Sequence, residues 1–303
     1  MTDRVCVLGT GLIGGSVLRA ATAAGWSGWG WNRSAVDAPG FDVTTDLAAA
    51  LVHAAAEDAL VVLAVPVTAL DEVLRVVAEH APGCALTDVI SVKAPVAAAV
   101  ARRGLAGRFV GGHPMAGTSE SGWAAGSAEL FAGAAWVVAA DDGLDPGTWL
   151  RVARLALDCG AHVVPAAAAE HDAAVARISH LPHLLAAVLA SVGAGGGALA
   201  MGLGAGSFRD GTRVAGTRPE LTRAMLEANR AGLQEALDDA LGRLGAARGA
   251  LASTGTVGAT VGDGYDARLL FVEHERFDIT DVDLTDLRAL RDAGRAGGVL
   301  RTL

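Results

Sequence analysis

Apolar residues in the first half of the chain fall in short unbroken runs, separated by stretches of helical period. Residues 4–8 (RVCVL) read as a buried parallel strand. The chain then turns into a helix that ends near Gly25, and residues 27–31 make a second strand, a βαβ unit. Further strands are expected at 59–65, 85–89, 108–111, 134–139 and 161–164, with helices at 67–79, 95–103 and 146–157 between them. This alternation predicts an α/β fold with a doubly wound parallel sheet, whose ligand lies beyond the carboxyl ends of the strands. After Pro165 the strand pattern stops. Residues 167–190 and 219–247 read as long helices, the second with Leu221, Met225, Leu226, Leu233, Leu237, Leu241 and Leu244 on a helical period. Residues 253–265 are rich in Gly and Thr and predict a break, followed by helix at 267–276. The tail from Asp278 is acidic, then rich in Arg and Gly. Two domains follow, 1–166 and an all-α domain over 167–303.

One segment, 181–208, carries no charged residue. Its second half holds Gly193, Gly195, Gly196, Gly197, Gly202, Gly204 and Gly206. A membrane span needs about 20 continuous helical apolar residues, so the expectation is a buried helix followed by a glycine-rich turn. Residues 184–203 are too apolar for a thin domain to cover alone, which predicts a homodimer through the helical domain.

The chain has 303 residues, 52% hydrophobic and 19% charged, enough for a sizeable core and unlike a disordered chain. A net charge of −9 argues against nucleic-acid or anionic-membrane partners. An anionic substrate would need a local basic pocket. Cys6, Cys84 and Cys159 are too few and scattered for a disulfide framework and read as reduced thiols. The opening residues lack the pattern of a signal peptide, and the expected location is cytoplasmic.

Gly9, Gly11 and Gly14 fit G-x-G-x-x-G between a strand and a helix. The first glycine serves the tight turn, the second lets a pyrophosphate approach the backbone, and the third lets helix and strand pack closely. Leu12 and Ile13 complete the turn, and Val65 and Pro66 end a neighbouring strand on the same side. The first domain therefore reads as dinucleotide-binding. At the end of the second strand, where an NAD enzyme usually carries Asp or Glu for the ribose hydroxyls, this chain has Asn32-Arg33-Ser34. Arg33 can pair with a 2′-phosphate and Ser34 can donate to it. NADP is the favoured cofactor, with Asp37 close enough to leave NAD open.

Four blocks follow the glycine turn in order: Ile90-Ser91-Val92-Lys93; Gly111-Gly112-His113-Pro114-Met115-Ala116-Gly117 through Ser121; His171-Asp172 with Ser179-His180-Leu181-Pro182-His183; and Ser207-Phe208-Arg209-Asp210-Gly211-Thr212-Arg213. Together they resemble the prephenate/arogenate dehydrogenase family of tyrosine biosynthesis, over about residues 4–230. The resemblance implies oxidative decarboxylation of a dianionic cyclohexadienyl substrate with hydride transfer to a nicotinamide. It gives His113 the role of accepting the hydrogen bond of the substrate 4-hydroxyl, and Ser91 that of bonding both. It makes Arg213 the carboxylate-binding arginine, with Arg209, His180 and Ser119 as further substrate contacts. For His171-Asp172 it suggests a structural hydrogen bond. Many family members have Glu where this chain has Ser119, with Glu120 next, so prephenate and arogenate both stay open. His180 and His183 sit three apart on a helix, but no third ligand has suitable spacing, and no metal is expected.

Three other readings are open. The same chemistry could act on a modified prephenate such as 4-amino-4-deoxyprephenate. The chain could be another two-domain NADP dehydrogenase, of the β-hydroxyacid or imine-reducing kind. It could also be a nonenzymatic NADP(H) sensor, which would need the glycine turn but not His113 with Arg213.

Overall fold

A computed structural model describes residues 3–118 and 120–303. The chain divides into two compact units, one running to His171 and including Phe277–Leu303, the other Asp172–Arg276.

In the first unit β1 (Arg4–Leu8), α1 (Leu12–Ala23), β2 (Ser27–Trp31), β3 (Asp42–Thr44), α2 (Leu47–Ala56), β4 (Leu60–Leu63), α3 (Leu70–His80), β5 (Leu86–Asp88), α4 (Ala94–Arg102) and β6 (Phe109–Val110) follow in order. The six strands form one parallel sheet, β3-β2-β1-β4-β5-β6. Alternate residues face opposite sides. Val5, Val7, Leu60 and Val62 join the core with α1, and Cys6, Leu8, Val61 and Leu63 join the one with α2, α3 and α4. Burial on both faces is why β1 is apolar from Val5 to Leu8.

The remaining strands depart from the expected single sheet. β7 (Gly112–Pro114), β8 (Ala135–Ala139) and β9 (His162–Ala166) make a second, three-stranded sheet, in which β7 runs antiparallel to β8 and β8 parallel to β9. α5 (Pro146–Asp158) lies between the last two in sequence. The predicted strand at 108–111 is β6 alone, and β7 lies beyond it as a strand the sequence pattern did not predict. The cause is local: the Gly112 N–H donates to the Asp88 carboxylate and its carbonyl accepts from Lys93, so the chain leaves the first sheet there.

The predicted helix at 167–190 is α6 (Ala168–Val175), a π-helical turn (Ala176–His180) and α7 (Leu181–Gly195). Pro182 in the first turn of α7 lacks the N–H that would continue the α ladder, which accounts for the widened turn. α8 (Gly197–Gly202) and α9 (Gly206–Thr212) replace the expected glycine-rich turn. A Cβ on Gly193 would lie 2.5 Å from Phe208, so that glycine serves close packing.

The helix expected at 219–247 is α10 (Pro219–Ala228) and α11 (Arg230–Thr254), broken at Asn229. The break at 253–265 shrinks to a left-handed Gly255 before α12 (Gly258–Glu273). The run Ala168–Gly195 is long and apolar enough to cross a membrane by length and composition. Contrary to the expectation of a buried helix, much of α7 is exposed, with Val192 at 69%. Too little of this small unit packs over it.

The tail is assigned differently from the sequence reading. β10 (Phe277–Asp278), α13 (Leu287–Arg295) and β11 (Gly298–Val299) belong to the first unit rather than to the helical domain. Leu300 exchanges two backbone hydrogen bonds of 2.9 Å with Val163 of β9, and Leu287, Leu290, Val299 and Leu300 are buried. The charged composition of this stretch masked its buried apolar positions.

Candidate active site

The glycine turn has the shape a dinucleotide needs. Gly9 has φ +101°, and a Cβ there would meet Ala64 O at 2.6 Å. A Cβ on Gly14 would lie 1.9 Å from Gly9 O, so only glycine lets α1 pack on β1. A Cβ on Gly11 would instead point into open space. Gly11 is also the N-cap of α1, where no side chain caps the helix and no carboxylate occupies the first turn. Leu12 and Ile13 carry that first turn. This end of α1 therefore presents unshared N–H groups and a positive dipole to an anion, and the residues present fit a pyrophosphate.

Asn32 has a positioning role. Its Oδ1 accepts from Thr10 N at 3.3 Å and its Nδ2 donates to Ser34 O at 2.8 Å, joining the glycine turn to the end of β2. Arg33 and Ser34 are exposed beside it. Val65 is buried against the Gly9 backbone, and Pro66 is exposed. Arg19 of α1 lies 3.6 Å from the Trp123 ring centroid and 5.8 Å from that of Phe41. This stack fixes the loop after His113 and the loop after β2 to the same helix. Burial lowers the pKa of Arg19. The sequence reading missed the stack.

His113 stands at the centre of β7, half-buried and paired with Val137. The preceding residues hold it from behind. Asp88 ends β5 fully buried, accepting from Ile90 N and Gly112 N, each at 3.0 Å, and from Lys93 Nζ. Lys93, also buried, donates to Gly112 O as well. Burial pushes the Asp88 carboxyl up, opposed by Lys93 and the two amides. The glycines before His113 make room for this ion pair. A Cβ on Gly111 would lie 3.2 Å from Lys93 Cδ, and one on Gly112 would lie 2.7 Å from Asp88 O. Ser91, half-buried, sits within the Asp88–Lys93 loop. Sequence reasoning quoted Lys93 without a role and passed over Asp88. An acidic residue ending a strand five before a lysine was the available clue.

His113 Nδ1 lies 2.8 Å from Nε2 of His171, which is 3% exposed, and the two rings meet edge-on at 82°. Ser119 lies outside the described residues.

In the second unit, His180 is buried in the π-helical turn, its Nδ1 3.1 Å from Asn229 Nδ2. The same Nδ2 donates to Asp172 O at 2.7 Å, so the amide spends both hydrogens on these partners and His180 Nδ1 is an acceptor. Asn229 sits at the break between α10 and α11. His183 Nδ1 donates to Ser179 O at 2.8 Å. The two histidines thus answer to separate partners. Arg209 on α9 and Arg213 at its C-cap are exposed and four residues apart, on one side of a helical turn.

Residues 33–165 match the family model described as prephenate dehydrogenase, nucleotide-binding domain, and residues 167–256 match prephenate dehydrogenase, dimerization domain. Prephenate dehydrogenase of Bacillus subtilis is 33% identical over 79% of this chain and 67% of its own length. Cyclohexadienyl dehydrogenase of Zymomonas mobilis is 31% identical over 82% of this chain and 88% of its own. Among solved structures, a Corynebacterium glutamicum protein provisionally named a prephenate dehydrogenase is 46% identical with a TM-score of 0.92, covering 99% of both chains. Synechocystis arogenate dehydrogenase is 27% identical with a TM-score of 0.75, over 88% of this chain and 99% of its own. With both domains matched and relatives aligned along most of its length, this chain belongs to the prephenate dehydrogenase family.

Proposed function

We propose that this chain oxidatively decarboxylates prephenate or arogenate in the cytoplasm, giving 4-hydroxyphenylpyruvate or tyrosine, with NADP preferred over NAD. The observation that carries the reading is His113. It is an imidazole on β7 of the nucleotide-binding unit, fixed through Nδ1 and anchored by the buried pair behind it. In the reaction the 4-hydroxyl proton passes to Nε2 of His113, C4 loses hydride, and the ring carboxylate leaves as CO₂ while the ring becomes aromatic. Aromatisation supplies the driving force, so the protein's task is orientation and polarisation of the hydroxyl. A bound nicotinamide supplies the hydride acceptor. Ser91 orients His113 and the hydroxyl. The Arg213 guanidinium grips a substrate carboxylate in bidentate fashion, with Arg209 and Ser119 as further substrate contacts, while His180, 1% exposed and bound to Asn229, is a packing residue rather than the contact expected from the sequence.

The preference for NADP rests on Asn32-Arg33-Ser34 at the end of β2, where no carboxylate opposes a 2′-phosphate. The homodimer rests on the exposed apolar residues of α7 and α8, among them Val188, Val192, Leu199 and Leu203, together with the family of the second domain.

The test is turnover of prephenate, arogenate and 4-amino-4-deoxyprephenate, each with NAD and NADP, followed by reduced-cofactor absorbance. Turnover of either of the first two, lowered about 10²–10⁴-fold in His113→Asn, is the expected result. Turnover of the amino compound alone assigns the modified substrate. Cofactor binding without any turnover assigns a sensor.

A further inference from the structure

We infer that His171 is a positioning residue that sets the tautomer of His113. The inference rests on the reading of His113 as the acceptor of the substrate proton. A hydrogen bond between two neutral imidazoles holds one proton, and it can belong to either ring. If His171 Nε2 carried it, His113 Nδ1 would be the acceptor, and His113 would bear its own proton on Nε2. A ring in that state donates at Nε2 and cannot take a proton there. If His113 Nδ1 carries it, Nε2 has a lone pair and the ring is a base. The contact of 2.8 Å from His113 Nδ1 to His171 Nε2 therefore decides whether this ring acts as an acid or a base.

Both ends of the contact are held rigidly. His113 is in the β7–β8 ladder, and the residue before it is bound to Asp88 and Lys93. His171 lies on α6, whose first turn is fastened by Ala168 N to the Asp141 carboxylate at 3.1 and 3.2 Å and by Ala167 N to Glu170 Oε2 at 3.2 Å. Arg295 of the tail grips the other oxygen of Glu170. The near-perpendicular rings point the nitrogen of one at the edge of the other, with centroids 5.0 Å apart. The bond also survives turnover. When His113 takes a second proton on Nε2, its Nδ1–H still donates to His171, now from a cation and more strongly. The proton balance is closed: one leaves the hydroxyl, one arrives at Nε2, and the proton on Nδ1 does not move.

The experiment uses the full chain with ¹⁵N-labelled histidine. Two-bond ¹H–¹⁵N spectra report which nitrogen of each ring is protonated, and His113→Asn identifies the His113 signals. The expected wild-type pattern is Nδ1–H with Nε2 unprotonated. His171→Gln offers an amide oxygen in place of Nε2 and should keep that tautomer, with kcat within about threefold, a smaller change than loss of the whole contact. His171→Leu offers no acceptor. It should mix the two tautomers and lower kcat at least about tenfold, while the dissociation constant for NADP, read by tryptophan fluorescence, stays at the wild-type value. Two results overturn the inference: a wild-type His113 protonated on Nε2, or wild-type kcat in His171→Leu. If His171→Leu fails to fold, the wild-type tautomer and the Gln variant decide it alone. Full turnover in His113→Asn would remove the base assignment itself, a different failure from a wrong tautomer.

Discussion

Lys93 and Asp88 meet inside the protein, five residues apart in sequence, and their contact reaches Gly112, the residue before His113. The pair thus couples the loop that carries Ser91 to the strand that carries the proposed base. Its stability role and its site role are inseparable, because the same carboxylate receives Ile90 N, Gly112 N and the lysine.

Removing one partner strands the other. Lys93→Met should destabilise the protein by about 3–5 kcal/mol, because it leaves a buried carboxylate without its cation. Adding Asp88→Leu removes that charge but not the debt to the backbone. The N–H groups of Ile90 and Gly112 would lose their acceptor, about 1–3 kcal/mol for each such group. The double variant is therefore expected to stay well below wild type in urea midpoint. A double variant as stable as wild type would show that the amides find other partners.

The glycine turn offers a contrast between two substitutions. At Gly14 an added methyl collides with Gly9 O, and backbone cannot give way as a side chain does. Gly14→Ala should cost about 1–3 kcal/mol, the usual range for overpacking. At Gly11 the methyl meets nothing, so Gly11→Ala should cost only what a poorer N-cap costs, about 1 kcal/mol or less. It should nonetheless weaken cofactor binding, because the methyl fills the approach to the helix N-terminus. Thermal melts with and without NADP separate the two effects.

Arg33 tests the cofactor preference. An ionic hydrogen bond is worth about 1.5–3 kcal/mol, or roughly ten- to a hundredfold in kcat/KM. Arg33→Ala should reduce kcat/KM for NADP by that factor and leave NAD within about twofold, since only NADP carries the 2′-phosphate. Equal losses with both cofactors would place Arg33 on the adenine or the ribose common to them.

The parts of this fold that were legible in the sequence are those built from local periodicity. Residues 4–8 and 27–31 match β1 and β2 to the residue; for β1 the reason is that a strand buried on both faces has little freedom in composition. The glycine turn was legible for the same reason: its spacing is a steric requirement. What was not legible depends on partners distant in sequence. The Asp88–Gly112 contact spans 24 residues and Asn229–His180 spans 49, and neither leaves a period. Asn229 in particular is one polar position within the stretch read as a long helix, whereas the helix breaks there and its amide binds Asp172 O and His180 Nδ1. The His113–His171 contact, 58 residues apart, gave the structural hydrogen bond expected of the His171-Asp172 block a specific partner.

The tail was the largest misassignment, and it yields a direct test. Leu290 is fully buried, and Gly294 of the same helix passes so close to β9 that a Cβ would lie 1.9 Å from Pro165 O. Leu290→Ala should therefore cost about 2–5 kcal/mol. The loss should appear in the nucleotide-binding unit, where NADP raises the melting temperature. If the variant instead leaves the NADP-protected transition unmoved, the tail contributes no stability to that unit.

Exposed apolar residues on α7 and α8 call for a cover, and two kinds are physically available. Val192 is 69% exposed and Leu199 75% exposed. Burying such a side chain is worth about 1.5–3 kcal/mol, so several together give the scale of a stable homodimer interface, which usually exceeds about 2,000 Å². Lipid is the other cover that length and hydropathy would permit for Ala168–Gly195. The run differs from a lipid-facing span in one respect: it includes Glu170, His171, Asp172, Arg177, His180 and His183. Of these Glu170, Asp172 and Arg177 are formally charged, and ionisable groups inside a bilayer are costly wherever they lie along the span. Protein is therefore the expected cover. Light scattering at micromolar concentration should give twice the chain mass, and Val192→Asp should shift it toward one chain mass while NADP binding persists. A monomeric wild type, or one that partitions into detergent, would remove the dimer and leave the apolar face to another partner.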